Sequence, residues 1–315
     1  MTRVAVIGPG RVGTALAIAL PRPAYEVVAV SGRSGAVGTA GPAGPGGPAG
    51  PAMERFTALV PEARVRSARD ACRAADLVLV CVPDDALEDV VRDIAEAGGV
   101  VAGSRWVHTA GGAGLAPLRP AALAGAGAAA CHPAQTFPDP LAGAAALPGT
   151  SWAVTAAEAD LGWSRVLVTD LRGSPVTVPD GSRPLYHAGV TVGSNATSAV
   201  VALARELLVG AGVEDPASLL APLATASAAN AARRGAAALT GPVRRGDVGT
   251  VAAHVGELER VLPEAVEAYL ALARITLTQA RRAGLDEAAA GLLEDLLGSG
   301  PVSYTHLTLP TIYSV

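Results

Sequence analysis

The sequence predicts an α/β protein, with an N-terminal doubly wound parallel sheet followed by an all-α domain. Three observations carry this prediction. Residues 3–13 form a short apolar run closed by Gly8, Gly10 and Gly13 in GxGxxG spacing. Further apolar runs bounded by Gly, Pro and polar residues recur up to residue 178, the pattern of buried parallel strands. From Pro184 onward the chain changes to long alanine-rich segments with helix punctuation.

The elements follow in order. The first strand ends at Ile7, Gly8 permits a tight turn, and a helix is predicted over 14–20. A second strand is read at 26–30, a helix at 54–59 and a short strand at 63–65. The continuous run at 77–82 reads as a buried strand stopped by Pro83, with Asp85 placed to cap a helix over 86–97. Strands follow at 105–108, 126–131 and 152–154, with a final edge at 175–178. In the second half, Asp215-Pro216 and Pro263 mark helix starts, and Arg281-Arg282 before Gly284 marks an end. These readings set a first domain over residues 1–180 and a helical one over 181–300.

The three glycines have distinct physical roles. Gly8 makes the turn, Gly10 lets the backbone approach a pyrophosphate, and Gly13 lets the helix pack closely on the sheet. The phosphates would lie over the helix N-terminus, against Arg11 and Val12. The second strand runs into Ser31-Gly32-Arg33-Ser34. An acidic residue there would accept hydrogen bonds from the ribose 2′-hydroxyl of NAD, whereas Ser31, Arg33 and Ser34 suit the 2′-phosphate of NADP. The cofactor expected is therefore NADP rather than NAD. Val82, Pro83 and Thr109, at neighbouring strand ends, complete the expected cofactor edge.

Composition narrows the chemistry. A net charge of −4 and no basic run give no footprint for nucleic acid. The start of the chain lacks a leader pattern and no stretch is apolar enough to span a bilayer, so a cytoplasmic protein with no membrane partner is expected. Cys72, Cys81 and Cys131 lack ligand spacing and read as core residues, and no metal is expected. All 24 basic residues are arginine. The absence of lysine excludes Schiff-base and pyridoxal-phosphate chemistry and the P-loop lysine, and no GxSxG elbow is present.

Two segments stand apart. Residues 35–52 form a Gly/Ala/Pro tract with four Gly-Pro triplets, read as an extended insertion loop because four triplets cannot sustain a collagen helix. Over residues 302–315 alanine and glycine vanish, and the sequence resembles a translated sequencing-adapter scar. Tyr304, His306 and Tyr313 are accordingly left out of the site.

Polar residues at strand ends and on helix faces are the candidates for chemistry. His108 and His132 follow predicted strands at the edge where open α/β sheets bind ligands. Each can donate a proton to a carbonyl oxygen or simply hold loop backbone. His187, Thr191 and Asn195 are spaced i, i+4, i+8, which puts them on one helix face beside Tyr186. Such a polar face lines a wet cleft or an interhelical network. Arg244 and Arg245, in the loop between Thr240-Gly241-Pro242 and Gly246-Asp247, can clamp a carboxylate, with Asp247 capping the next helix.

Taken together, His108-Thr109, His132-Pro133, Tyr186-His187 with Asn195, and the segment from Thr240 to Asp247 resemble the bacterial Rossmann-like family carrying domain of unknown function 2520, over most of residues 1–300. More distantly the layout resembles deazaflavin-dependent NADP reductases, pyrroline-5-carboxylate reductases, ketopantoate reductases and β-hydroxyacid dehydrogenases. The resemblance implies a helical domain like that of 6-phosphogluconate dehydrogenase, a homodimer formed through it, and an NADP-linked site in the interdomain cleft. In β-hydroxyacid dehydrogenases a lysine lies four positions before the helix asparagine; here Thr191 stands four before Asn195.

The expectation is an NADP-dependent oxidoreductase that reduces a small carbonyl acid. His187, or else His108, is the general acid and Asn195 positions the carbonyl or a water. His132, Tyr186, Arg244 and Arg245 bind the substrate. Two alternatives stand beside it: an imine reductase, which needs less acid catalysis because an iminium is already protonated, and a non-catalytic NADP-binding sensor or partner protein.

Overall fold

The computed structural model describes residues 1–32 and 50–298. Arg33, Ser34 and the residues from 35 to 49 of the Gly/Ala/Pro tract lie outside the described residues, as does the tail from residue 299.

Among the described residues, eight strands form one sheet: β1 (Thr2–Ile7), β2 (Tyr25–Ser31), β3 (Arg64–Val65), β4 (Leu77–Val80), β5 (Arg105–His108), β6 (Gly127–Pro133), β7 (Ser151–Ala156) and β8 (Ser174–Thr177). Their order is β3-β2-β1-β4-β5-β6-β7-β8. The helices interleaved with them are α1 (Arg11–Ala19), α2 (Pro51–Leu59), α3 (Ala68–Arg73), α4 (Leu87–Glu96), α5 (Arg119–Leu123), α6 (Pro140–Ala146), α7 (Glu158–Asp170) and α8 (Arg183–Thr191). This is the doubly wound fold that the sequence predicts.

Strand alternation feeds two cores. Val4, Val6 and Leu79 join Leu16 of α1, Phe56 of α2, Leu167 of α7 and the fully buried Trp152 on one face. Ala5, Ile7, Val78 and Val80 join Val91 of α4, Leu118 and the fully buried Trp106 on the other.

The sheet is not parallel throughout, which corrects the expectation at one edge. Strands β1 to β6 pair in parallel, whereas β7 pairs antiparallel with β6 and parallel with β8. Helix lengths explain the reversal. Seven-residue α6 spans about 10 Å, too short to carry the chain back along seven-residue β6, which runs about 23 Å. It packs instead beside α1, where the site of a Gly143 Cβ is 3.3 Å from the Ala15 methyl, and β7 sets off from the end where β6 stopped. Thirteen-residue α7 is long enough for a full return, so β8 runs parallel to β7.

Two local expectations also change. Pro51 and Ala52 belong to the first turn of α2 rather than to the insertion loop, with Pro51 at a position that needs no N–H donor. Asp85 does not cap a helix by its side chain, because the chain passes through a 3-10 turn at Asp84–Ala86 before α4 begins.

The chain divides into two compact units, Met1–Ser194 and Asn195–Val315. The expected division after residue 180 falls short because α8 is anchored in the first unit by the buried Arg183. A π turn at Val192–Ala196 spans the division.

The second unit contains α9 (Thr197–Gly210), α10 (Pro216–Arg234), α11 (Pro242–Arg245), α12 (Val248–Val261), α13 (Val266–Arg282) and α14 (Glu287–Leu297). Asp215, Asp247 and Asp286 cap three of these helices, accepting from the backbone N–H of Ser218, Thr250 and Ala289. Its core, around Val251, Leu277, Ala280, Leu293 and Leu297, is built by the later helices. Helix α9 buries no residue and α10 buries only Pro216. Among the described residues no helix is long and apolar enough to cross a membrane.

A Cβ on Gly13 would overlap the Gly8 carbonyl oxygen and lie 3.1 Å from both Cys81 Cβ and Val6 Cγ1. Gly13→Ala is therefore expected to destabilise the first unit by about 2–3 kcal/mol, the range for overpacking a rigid contact. A lowered urea midpoint followed by tryptophan emission checks this.

Candidate functional site

The cofactor edge is built where β1, β2, β4 and β5 end together. The Gly8 N–H donates to Ser31 O at 2.8 Å and the Cys81 N–H to Ile7 O at 2.7 Å, so the turn after β1 is tied to both neighbouring strands. Gly8 has φ +97°, and a Cβ there would sit 2.6 Å from Cys81 O. Gly8 and Gly13 are thus demanded by packing. Gly10 is different. It has extended backbone, and nothing lies within 4 Å of where its Cβ would be. It stands at the start of α1, which has no side-chain cap and no acid in its first turn. The first N–H groups of the helix, including those of Arg11 and Val12, are left for an anion. An open cradle over an uncapped helix end fits a dinucleotide diphosphate. Ser31 closes β2, Val82 and Pro83 follow β4, and Thr109 follows β5, all at this edge.

Beyond β5, the loop from Thr109 to Leu115 is held by three side chains. His108 is fully buried. Its Nε2 donates to Gly114 O at 2.8 Å and its Nδ1 accepts from the Ala110 N–H at 3.2 Å, which fixes the neutral Nε2–H tautomer. Burial drives its pKa down to about 4, and the positive charge of Arg183 adds to the effect. Both ring nitrogens are used by the loop, so His108 is placed as a loop anchor, the second of the two roles its position after β5 allows. Asp180 Oδ1 accepts from the Leu115 N–H at 2.7 Å. Arg183 Nη1 reaches Gly111 O at 3.4 Å.

Arg183 is the residue that sequence reasoning missed. It opens α8, is fully buried, and donates through Nε to Thr155 Oγ1 at 2.8 Å and through Nη2 to Ala130 O at 2.5 Å and Ala153 O at 3.1 Å. Those groups belong to β6 and β7, whose antiparallel pairing brings them to one place. An arginine before a proline at a helix start looks like a surface residue, and no local signal marks its burial.

One turn along α8, Tyr186 and His187 meet His132 from the end of β6. The Tyr186 hydroxyl is hydrogen-bonded to His132 Nδ1 at 2.9 Å. The His132 ring lies 5.8 Å, edge to face, from the rings of both Tyr186 and His187. A Cβ on Gly111 would lie 2.5 Å from His187 Cδ2 and 3.0 Å from His132 Nε2, and one on Gly112 would lie 3.0 Å from His187 Nδ1. The glycine pair is what lets both imidazoles lie against the loop. Burial, then the charges of His187, Arg183 and His108, push the His132 pKa down to about 4. Burial raises that of Tyr186. A phenol paired with a neutral imidazole can pass a proton to a reacting atom.

The structure brings together His132, Tyr186 and His187, three of the candidate residues. The continuous face through Thr191 to Asn195 does not survive, because the π turn breaks the four-residue periodicity between them; Asn195 is exposed. In the second unit, Arg244 and Arg245 line a cavity of about 600 Å3 with Leu239, Thr240, Gly241 and Leu285. Arg244 donates to Ala283 O at 3.0 Å, and Arg245 lies 3.9 Å from Asp247. Among the described residues no cluster of three or more His, Cys, Asp or Glu side chains is placed to hold a metal.

Residues 150–276 match the model of a family described as Domain of unknown function (DUF2520), and residues 47–133 match that of a Rossmann-like domain. Among solved structures the chain is similar to a candidate NADP oxidoreductase from Bacteroides fragilis, at 22% identity and TM-score 0.67, covering 87% of this chain and 97% of that one. It is similar to an imine reductase from Pseudomonas sp., at 21% identity and TM-score 0.58, covering 94% and 99%. It is also similar to a reductive aminase from Aspergillus terreus in complex with NADPH and ethyl levulinate, at 17% identity and TM-score 0.55, covering 94% and 92%. At these identities the likeness establishes the fold. No curated protein matches the chain.

The depressed pKa of His108 has a sign that can be measured. The unfolded chain takes up a proton near the ordinary value of 6.5, and the folded chain only near 4. The stability this histidine contributes is thus present above pH 6.5 and falls by about 3 kcal/mol as pH drops to 4. His108→Gln, which keeps a donor for Gly114 O and does not titrate, should flatten that part of the pH–stability curve measured by urea unfolding.

Proposed function

We propose that this chain is an NADP-dependent oxidoreductase that reduces a small carbonyl acid. The observation that carries the reading is the contrast among the three glycines. Gly8 and Gly13 are filled by neighbouring backbone, while Gly10 is left open above an uncapped, acid-free helix start. The similar structure described as an NADP oxidoreductase, and the NADPH-bound reductive aminase, support the same cofactor class. The choice of NADP over NAD rests on the sequence from Ser31 through Arg33 to Ser34.

Bound NADPH would supply the hydride, and this chain's residues would do the rest. The α1 N-terminus holds the diphosphate, with Val82, Pro83 and Thr109 along the strand ends. His187 is the general acid, His132 and Tyr186 orient the acceptor group, and Asn195 is a positioning donor. Within the second unit, Arg244 and Arg245 would bind a carboxylate in the cavity they line. With no lysine in the sequence, the histidine and tyrosine side chains gathered after β6 and on α8 are the proton donors at this cluster. The similarity to imine reductases favours a second reading, in which the acceptor is a carbon–nitrogen double bond.

The protein is further proposed to be a homodimer through its helical unit. The support is the α9–α10 pair, which buries almost nothing of its own. Val209 is 53% exposed, Leu219 52% and Leu223 62%, an apolar surface that a second copy would cover.

Gly10→Ala is expected to raise the Kd for NADPH by about tenfold or more through close contact with the diphosphate, while ligand-free stability stays within about 0.5 kcal/mol. Isothermal titration calorimetry with NADPH and NADH checks this; absence of binding by the unmutated chain would remove the cofactor reading. Leu219→Glu with Leu223→Glu should convert the dimer to a monomer in light scattering, and a monomeric unmutated chain would remove the dimer.

A further inference from the structure

We infer that Arg183 sets the charge of the group the first unit's site accepts: its buried guanidinium makes the Tyr186–His132–His187 cluster a place for a neutral or anionic acceptor and rejects a cationic iminium. This rests on the oxidoreductase reading and decides between its two acceptor classes.

The argument starts from how the charge is held. Arg183 is fully buried, and its donors go to one hydroxyl and three carbonyl oxygens, with no carboxylate among the partners. Carbonyl dipoles solvate a guanidinium but leave its unit charge in place. The acid nearest in sequence, Asp180, is exposed and accepts from the Leu115 N–H; its charge acts on Arg183 and His108 through space, without an ion pair to the guanidinium. The charge also sits close to the cluster. The guanidinium carbon lies 5.8 Å from the centre of the Tyr186 ring, and Tyr186 is hydrogen-bonded to His132. Gly111 links them directly, since its carbonyl oxygen faces Arg183 while its Cα faces His132 and His187.

The neighbouring groups respond as this placement requires. The Arg183 charge works against protonation of His108 and His132 and eases ionisation of Tyr186. His187 and His108 are the other titratable groups acting on His132. A cationic substrate would meet the Arg183 repulsion that adds to burial in keeping His132 neutral, whereas negative charge developing on a carbonyl oxygen would be stabilised. At roughly 6–8 Å and an effective dielectric near 20–40, one unit charge separates anionic from cationic ligands by about tenfold or more.

The test uses two small probes of equal size, butyrate and butylammonium, titrated into the full-length protein with and without NADP and followed through the His132 ring resonances. Butyrate is expected to bind at least about tenfold more tightly than butylammonium. Arg183→Lys should keep that preference. Arg183→Gln, which retains donors but not the charge, should reduce it to within about threefold and move the His132 titration up from about 4. A merely structural arginine would shift that titration alike in Arg183→Lys and Arg183→Gln, whereas a charge effect moves it only in Arg183→Gln, and thermal melts establish that both variants are folded. Equal binding, preference for butylammonium, binding of neither probe, or a preference unchanged in Arg183→Gln would each overturn the inference. Failure of NADPH to bind counts against the cofactor reading alone, because the titration without nucleotide remains readable.

Discussion

One buried guanidinium ties together the parts of the first unit that matter most. Arg183 takes carbonyl oxygens from β6, β7 and the loop after β5, and its own helix carries Tyr186 and His187. Removing it would take a charged donor from the Ala130 and Ala153 carbonyl oxygens, which the β6–β7 ladder also serves. It would also remove the hydrogen bonds that tie the start of α8 to β6, β7 and the loop after β5. The arrangement depends on the reversal at β7, because only that reversal sets Ala130, Ala153 and Thr155 around one point. A short α6 therefore has a consequence some distance away: it creates the socket in which the arginine sits.

The cofactor edge depends on a different constraint, the lack of space between the turn after β1 and the end of β4. Gly8 and Gly13 are there because backbone and the Cys81 side chain already occupy the room a side chain would need. That crowding brings the α1 N-terminus to the switch point between β1 and β4, where two strand ends diverge and a ligand can enter. The sheet needs little bulk to do this. Its central strands are built of alanine, valine and leucine, with Trp106 and Trp152 filling the wider gaps on opposite faces.

The features legible in the sequence are those fixed by local chemistry. The three glycines, the strand runs, and the caps at Asp215 and Asp247 each follow from a steric or hydrogen-bonding rule that acts over a few residues. His132, Tyr186 and His187 each stood out in the sequence, as a strand-end residue and as polar residues of one helix, but their meeting depends on how α8 packs on β6. What sequence could not show depends on distant chain. The antiparallel β7 follows from the length of a helix against the length of a strand. The role of His108 stayed open because a histidine after a strand looks the same whether its nitrogens face a ligand or a loop. Arg183 was invisible for the same reason, as its burial is decided by carbonyls from residues up to 72 positions away. The π turn after Thr191 is a one-residue change of winding that periodicity alone does not reveal.

The placement of tryptophan has a separate consequence. The chain has three, Trp106, Trp152 and Trp163, and all lie in the first unit. Two are fully buried, one on each face of the sheet. Their emission is thus an internal dye for the sheet alone, while the helical unit, dark at those wavelengths, contributes most strongly to far-ultraviolet dichroism. The two signals let one sample report separately on the loss of each half, so the molecule carries its own means of telling whether its units unfold together or in turn.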